Sequence, residues 1–352
     1  MGKRTDPVDD GWRAPDQKGP SVIDQIREHR GFIVPVAASC IIALVVLLSH
    51  RPYVHQLPSM PSPKASLSPA LAFDSLTGDL VMFGGVGNDA TTWTWRAGHW
   101  KLRRLKTVPS ARFGGSSVWD PGTKQIVMFG GVSESTTMAL TDLWAWTGND
   151  WRELDKGRAL PVPIISRLTY DSQSGLITLF LTRGHQAPIE VWVWSLNAWQ
   201  LVNDVGPALT NYAVAFDPNS QAMLVTGPDA TGKVQSWRFG DDEWKELQSA
   251  MPGFNGEIIV QDDSRGRVMG LAPRPAPQGV PVETQAWAWT GSAWLELGSN
   301  ATLPKSIDLI QATSGQDRYG VLAVVMVHGT DNGEPGVNEV WAFTGTAWVR
   351  GS

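Results

Sequence analysis

The chain has 352 residues, 29 Lys and Arg against 34 Asp and Glu, and a formal net charge of -5. That length can bury a substantial core, and the acidic balance gives no electrostatic basis for nucleic acid as a partner. One cysteine, Cys40, excludes an intramolecular disulfide, and 36 Gly with 24 Pro is a composition of many short strands joined by turns.

Residues 1–30 are polar and lack a sustained apolar period, which predicts a disordered tail on the cytoplasmic side. Residues 31–49 (GFIVPVAASCIIALVVLLS) carry no charge. At helical rise they span roughly 28 Å, close to the thickness of a bilayer's hydrocarbon core, so a single transmembrane helix is expected. No small-residue cleavage site follows; His50, Arg51 and Pro52 come next. Lys18, Arg27 and Arg30 precede the segment, and Arg51 and Lys64 follow it. This distribution favours a cytoplasmic N-terminus and places the rest of the chain outside the cytoplasm. Residues 50–65 are rich in Pro and Ser and read as a linker.

From residue 66 onward the chain is repetitive. A signature of Trp, any residue, Trp or Phe, four residues, Trp occurs at Trp93, Trp144, Trp192, Trp237, Trp287 and Trp341, with spacings of 51, 48, 45, 50 and 54 residues. A period of that length marks a propeller or solenoid. The second repeat shows the unit. Ser116–Trp119 reads as a strand, Asp120–Lys124 as a turn, and Gln125–Phe129 as a strand ended by Gly130-Gly131. Asp142–Trp146 and Trp151–Leu154 then form a hairpin. Trp144 and Trp146, two apart, share a face, and Trp151 can pack beside them across the turn. An Asp marks the first turn of each of the first five repeats: Asp74, Asp120, Asp171, Asp217 and Asp262. The fixed register of the tryptophans assigns them to packing between blades. The expected domain, residues 66–352, is all-β: a six-bladed propeller of four-stranded sheets, with ring closure left open between six complete units and an edge contribution from Pro52–Leu57.

Val81-Met82-Phe83-Gly84-Gly85 and Val127-Met128-Phe129-Gly130-Gly131 resemble the double-glycine strand end of kelch repeats, and Pro109-x-Ala111-Arg112-x-Gly114 resembles the motif that opens a kelch blade. The resemblance, to bacterial-type kelch-like propellers, spans residues 66–349. It is diluted after the second repeat, where Leu181-Thr182, Gly227-Pro228 and Ala272-Pro273 replace the glycines. Some kelch-like propellers resemble galactose oxidase, whose copper site uses a Cys–Tyr crosslink. Here Cys40 lies outside the repeats, so that cofactor is excluded and none is expected.

In such blades the loop after the second strand and the loop between blades emerge on one face, where a rigid scaffold carries binding groups. The candidate ligand-binding residues on that face are Arg112, Arg167, Arg183, His185, Tyr212, Arg274, His328 and Asp331. Asn211, Asn255, Glu257 and Lys305 between blades, and Asp229 after a second strand, belong to the same loops. His185 and His328 occupy corresponding loops but lack a clustered third ligand, so no metal site is expected. No sialidase-type box and no Ser/His/Asp arrangement is present. The functional expectation is a membrane-anchored extracytoplasmic module that binds a protein or glycan without catalysis. The alternative is a propeller enzyme acting on an extracellular sugar as an epimerase, lyase or hydrolase.

Overall fold

The computed structural model describes residues 62–351, apart from 65–67, 88, 158, 253–257, 274–283, 299–306, 315–320 and 328–336. Residues 60–352 form one compact unit. The expected tail and membrane segment, residues 1–30 and 31–49, and the strand-like run Pro52–Leu57 lie outside the described residues. No helix among the described residues is long and apolar enough to cross a membrane.

The first sheet contains β1 (Ala70–Asp74), β2 (Asp79–Phe83), β3 (Thr92–Arg96) and β4 (His99–Leu102). The second contains β5 (Arg112–Phe113), β6 (Ser116–Asp120), β7 (Gln125–Ser133), β8 (Ala139–Trp146) and β9 (Trp151–Asp155). The third follows with β10 (Ile165–Asp171), β11 (Leu176–Thr182), β12 (Glu190–Ser195) and β13 (Ala198–Asn203). The fourth has β14 (Ala213–Asp217), β15 (Ala222–Pro228), β16 (Val234–Gly240) and β17 (Glu243–Leu247). The fifth has β18 (Ile258–Asp262), β19 (Arg267–Pro273), β20 (Thr284–Trp289) and β21 (Trp294–Glu296), and the last has β22 (Ile307–Ser314), β23 (Val321–Val327), β24 (Val337–Phe343) and β25 (Trp348–Arg350).

Every pairing is antiparallel and each sheet comes from one contiguous stretch of chain. The innermost strands pack around an axis: β1 against β6, β6 against β10, β10 against β14, β14 against β18, β18 against β22, and β22 against β1. That closed circuit of sheets is a β-propeller. Among the described residues the last sheet meets the first by packing: Val340 and Ala342 join Leu71, Phe73, Leu80 and Met82 in one buried cluster.

The expectation of uniform four-stranded blades holds for five sheets, and the second departs from it. There Gly130 and Gly131 do not end the strand. They adopt φ of 65° and 94° and form a bulge, after which β7 continues to Ser133 and pairs with the extra strand β5. A Cβ on Gly131 would lie 2.7 Å from the Phe113 carbonyl oxygen, so glycine is required by close backbone approach as well as by φ.

The repeated signature is a packing device. Its second aromatic faces its last tryptophan directly across the hairpin in every repeat: Trp95 with Trp100, Trp146 with Trp151, Trp194 with Trp199, Phe239 with Trp244, Trp289 with Trp294, and Phe343 with Trp348. Ring centroids in the last five pairs are 5.5, 5.3, 4.9, 5.4 and 5.2 Å apart. Such pairs add about 0.5–1.5 kcal/mol each beyond the area they bury. The last tryptophan also reaches the preceding sheet, edge-on to Phe83, Phe129 and Phe180 from Trp151, Trp199 and Trp244. The turn aspartates act as caps: Asp74, Asp120, Asp171 and Asp217 each accept the backbone N–H two residues on.

Candidate functional site

The first tryptophan of the signature has a different role from the other two. Its indole N–H donates to an acceptor two residues earlier on the same strand: Trp144 to Asp142 at 2.7 Å, Trp192 to Glu190 at 3.0 Å, Trp237 to Gln235 at 3.0 Å and Trp341 to Glu339 at 3.1 Å. Residues two apart project from the same face, which is why the spacing works. Trp192, Trp237, Trp287 and Trp341 are only half-buried. Assigning the tryptophans to blade packing holds at all three positions: Trp93 and Trp144 are buried, and these four, like Trp194 and Trp244 of the later positions, are half-buried against the core clusters. The acidic residue two before the tryptophan is a signal present in the sequence that the periodicity alone did not expose.

The three acids among these acceptors each carry an arginine. Arg112 pairs with Asp142 through both terminal nitrogens, at 2.6 and 2.8 Å. Its remaining donors go to the Gly130 carbonyl, the Ser110 carbonyl and the Ser110 hydroxyl, so all five N–H groups are used. Arg112 is 1% exposed. The sequence placed it among ligand-binding residues; its geometry makes it a pin that holds β5 to β8.

The other two arginines stand at the surface. Arg183, directly after β11, pairs with Glu190, whose other oxygen accepts from Trp192. The Glu190 side chain is 4% exposed and that of Arg183 is 60% exposed. In the last sheet Arg350 pairs with Glu339 at 2.5 Å, and Glu339 accepts from Trp341. The two clusters match in chemistry although one arginine follows a second strand and the other ends a fourth. Each presents an exposed guanidinium beside a half-buried indole, with a carboxylate fixing both. His185, two residues past Arg183, is exposed in the same loop.

Arg167 and Tyr212 lie elsewhere. The inner strands enclose an axial channel of about 530 Å³ lined by Leu71, Trp119, Arg167, Tyr170, Gln261 and Asp263, among others. Arg167 donates to the carbonyls of Tyr212 at 3.0 Å and Ser166 at 3.0 Å and to the Asn211 side chain at 3.3 Å. Its guanidinium stands 5.9 Å from the Tyr212 ring centroid. Burial pulls Arg167 below its ordinary value. Tyr212 is fully buried, its hydroxyl donates to the Ile165 carbonyl, and burial raises its phenol far above the usual range. Tyr212 is thus a wall behind Arg167 and is not itself open to a ligand. Asp229 organises its own loop, accepting from the Thr231 and Lys233 amides at 2.8 and 3.1 Å.

Arg274, His328 and Asp331, with Asn255, Glu257 and Lys305, lie outside the described residues. Among the described residues no three His, Cys, Asp or Glu side chains group as metal ligands would.

No protein-family model matches the chain, and no curated protein sequence matches it. Solved structures do. Aleuria aurantia lectin in complex with Fucα1-6GlcNAc superposes with a TM-score of 0.55 at 14% identity, covering 82% of this chain and 97% of that one. SapL1 lectin in complex with α-methyl fucoside gives 0.56 at 14% identity, covering 83% and 97%. At that identity the likeness establishes fold alone: the chain is a β-propeller of the same architecture as these lectins.

Proposed function

We propose that the protein is a non-catalytic glycan-recognition module, held outside the cytoplasm by a single membrane-spanning segment at residues 31–49. The observation that carries the reading is the exposed Arg–Glu–Trp cluster, present as Arg183/Glu190/Trp192 and again as Arg350/Glu339/Trp341. A sugar offers hydroxyl groups around its rim and apolar C–H faces. A half-buried indole supplies a flat apolar surface, and the neighbouring guanidinium supplies directional donors. The carboxylate locks both side chains, which lowers the entropy lost when a ligand binds. Two like clusters on separate sheets also suit a ligand that presents repeated sugars, because a second contact then forms at high effective concentration. The fold shared with two fucose-complexed lectins supports the same reading. We read the circuit of sheets as a six-bladed ring, and the kelch kinship as resting on Gly84-Gly85 and Gly130-Gly131.

The test is a glycan array, fucosides included, probed with the purified full-length protein. Selective retention on one glycan class supports the proposal, and uniform absence of retention refutes it. The anchoring half is tested separately. Protease added to intact cells should degrade the repeat domain; complete protection contradicts an external location.

A further inference from the structure

Four residues before the turn aspartates Asp74, Asp120, Asp217 and Asp262, the inner strands carry Ala70, Ser116, Ala213 and Ile258. The same position before Asp171 is Arg167. The inner strands therefore build this layer from small or apolar side chains and place one cation in it, so the propeller itself does not require the charge. That cation borders the channel of about 530 Å³, a volume within the range of small-molecule sites.

Its partners are all neutral. Three N–H groups donate to two carbonyls and one side-chain amide oxygen, and among the described residues no carboxylate pairs with it. One N–H on each terminal nitrogen is left without an acceptor there. Arg167 is half-buried, and a guanidinium partly withdrawn from bulk water favours an opposite charge beside it. Arg112, by contrast, spends its terminal nitrogens on a carboxylate. Arg167 is also rigid: the Tyr212 ring lies beside it and the Tyr212 and Ser166 carbonyls fix its orientation. A planar donor pair, held in place, bordering the channel and without a paired carboxylate among the described residues, matches a carboxylate.

We propose that the axial channel is a binding site for a small carboxylate-bearing ligand, of the size of an acidic monosaccharide, with Arg167 as its charge partner. The site is separate from the surface Arg–Glu–Trp clusters and does not depend on them. The spare N–H groups of Arg167 donate to the ligand's two oxygens. Trp119 lines the same channel and meets the remainder of the ligand.

The experiment is calorimetric titration of the full-length protein with sodium glucuronate at fixed ionic strength, with glucose as the uncharged control and inorganic phosphate as a second anion. Glucuronate should bind while glucose does not. Arg167→Met should weaken glucuronate binding about tenfold or more, the scale of a lost charge-assisted hydrogen bond. Arg183→Ala should leave it unchanged. Arg167→Lys keeps the charge but loses the paired donors, so a folded lysine variant with intermediate affinity supports the site even where the methionine variant does not fold. Binding of phosphate without glucuronate overturns the carboxylate assignment. No binding of glucuronate, or equal binding by wild type and Arg167→Lys, overturns the site. Loss of glucuronate binding in Arg183→Ala with Arg167 intact places the anion at the surface cluster and refutes the channel.

Discussion

Arg112 and Asp142, thirty residues apart in sequence, meet through two hydrogen bonds of 2.6 and 2.8 Å, with the arginine side chain fully buried. Asp142 also receives the Trp144 indole, so one carboxylate ties together the blade-opening strand, the long second-blade strand and the aromatic signature. Arg112→Ala leaves this carboxylate without its cation and should destabilise the domain by about 3–5 kcal/mol. Denaturant unfolding checks it; a loss below about 1 kcal/mol would show that the pair contributes little.

Trp151 and Trp199 occupy equivalent positions, yet only one finds an acceptor. The Trp151 indole donates to Thr92 of the preceding sheet at 2.9 Å, whereas the buried Trp199 indole nitrogen has no partner among the described residues. Trp151→Phe should therefore cost about 1 kcal/mol more than Trp199→Phe, because only the first breaks a hydrogen bond. Thermal denaturation of the two variants side by side decides this.

Gly78 and Gly131 both have positive φ, of 77° and 94°. A Cβ at Gly78 would meet nothing within 4 Å, whereas at Gly131 it would sit 2.7 Å from a carbonyl oxygen. Gly78→Ala should cost about 1–2 kcal/mol from backbone strain alone. Gly131→Ala should cost clearly more, since β5 must also move away from β7. Equal losses in urea unfolding would mean that the close approach is relieved elsewhere.

Hydrogen bonds from Thr231, through its hydroxyl and its amide, hold the Asp229 carboxyl below its usual value. A lowered folded value means the fold favours the ionised form. The ordering of this loop is thus fully present above the usual carboxylate range and is lost as pH falls through the lowered value. Protection of the Thr231 and Lys233 amides, relative to their intrinsic exchange rates at each pH, should fall on acidification, and Asp229→Ala should show the low protection already at neutral pH. Unchanged exchange in that variant would remove Asp229 as the organiser.

Much of the propeller was legible because its repeat is a packing rule. The strand boundaries read for the second repeat, 116–119, 125–129, 142–146 and 151–154, lie within β6, β7, β8 and β9. What escaped was long-range. Gly130-Gly131 reads as a strand end, and only the approach of Phe113 explains why the strand bends and continues. Arg112 and Arg167 look alike in sequence as cations at blade openings. Asp142 consumes the first, and among the described residues no charged group pairs with the second, a distinction set by partners 30 and 44–45 residues away. The Arg–Glu–Trp clusters were half visible: Glu190 and Trp192 are two apart, but Arg350 reaches Glu339 only through the pairing of β24 with β25.

Calorimetry with the glycan best retained on the array tests recognition by the exposed clusters. Wild type should show two sites, Arg183→Ala one, and the double variant Arg183→Ala/Arg350→Ala none. Undiminished binding by the double variant contradicts the account.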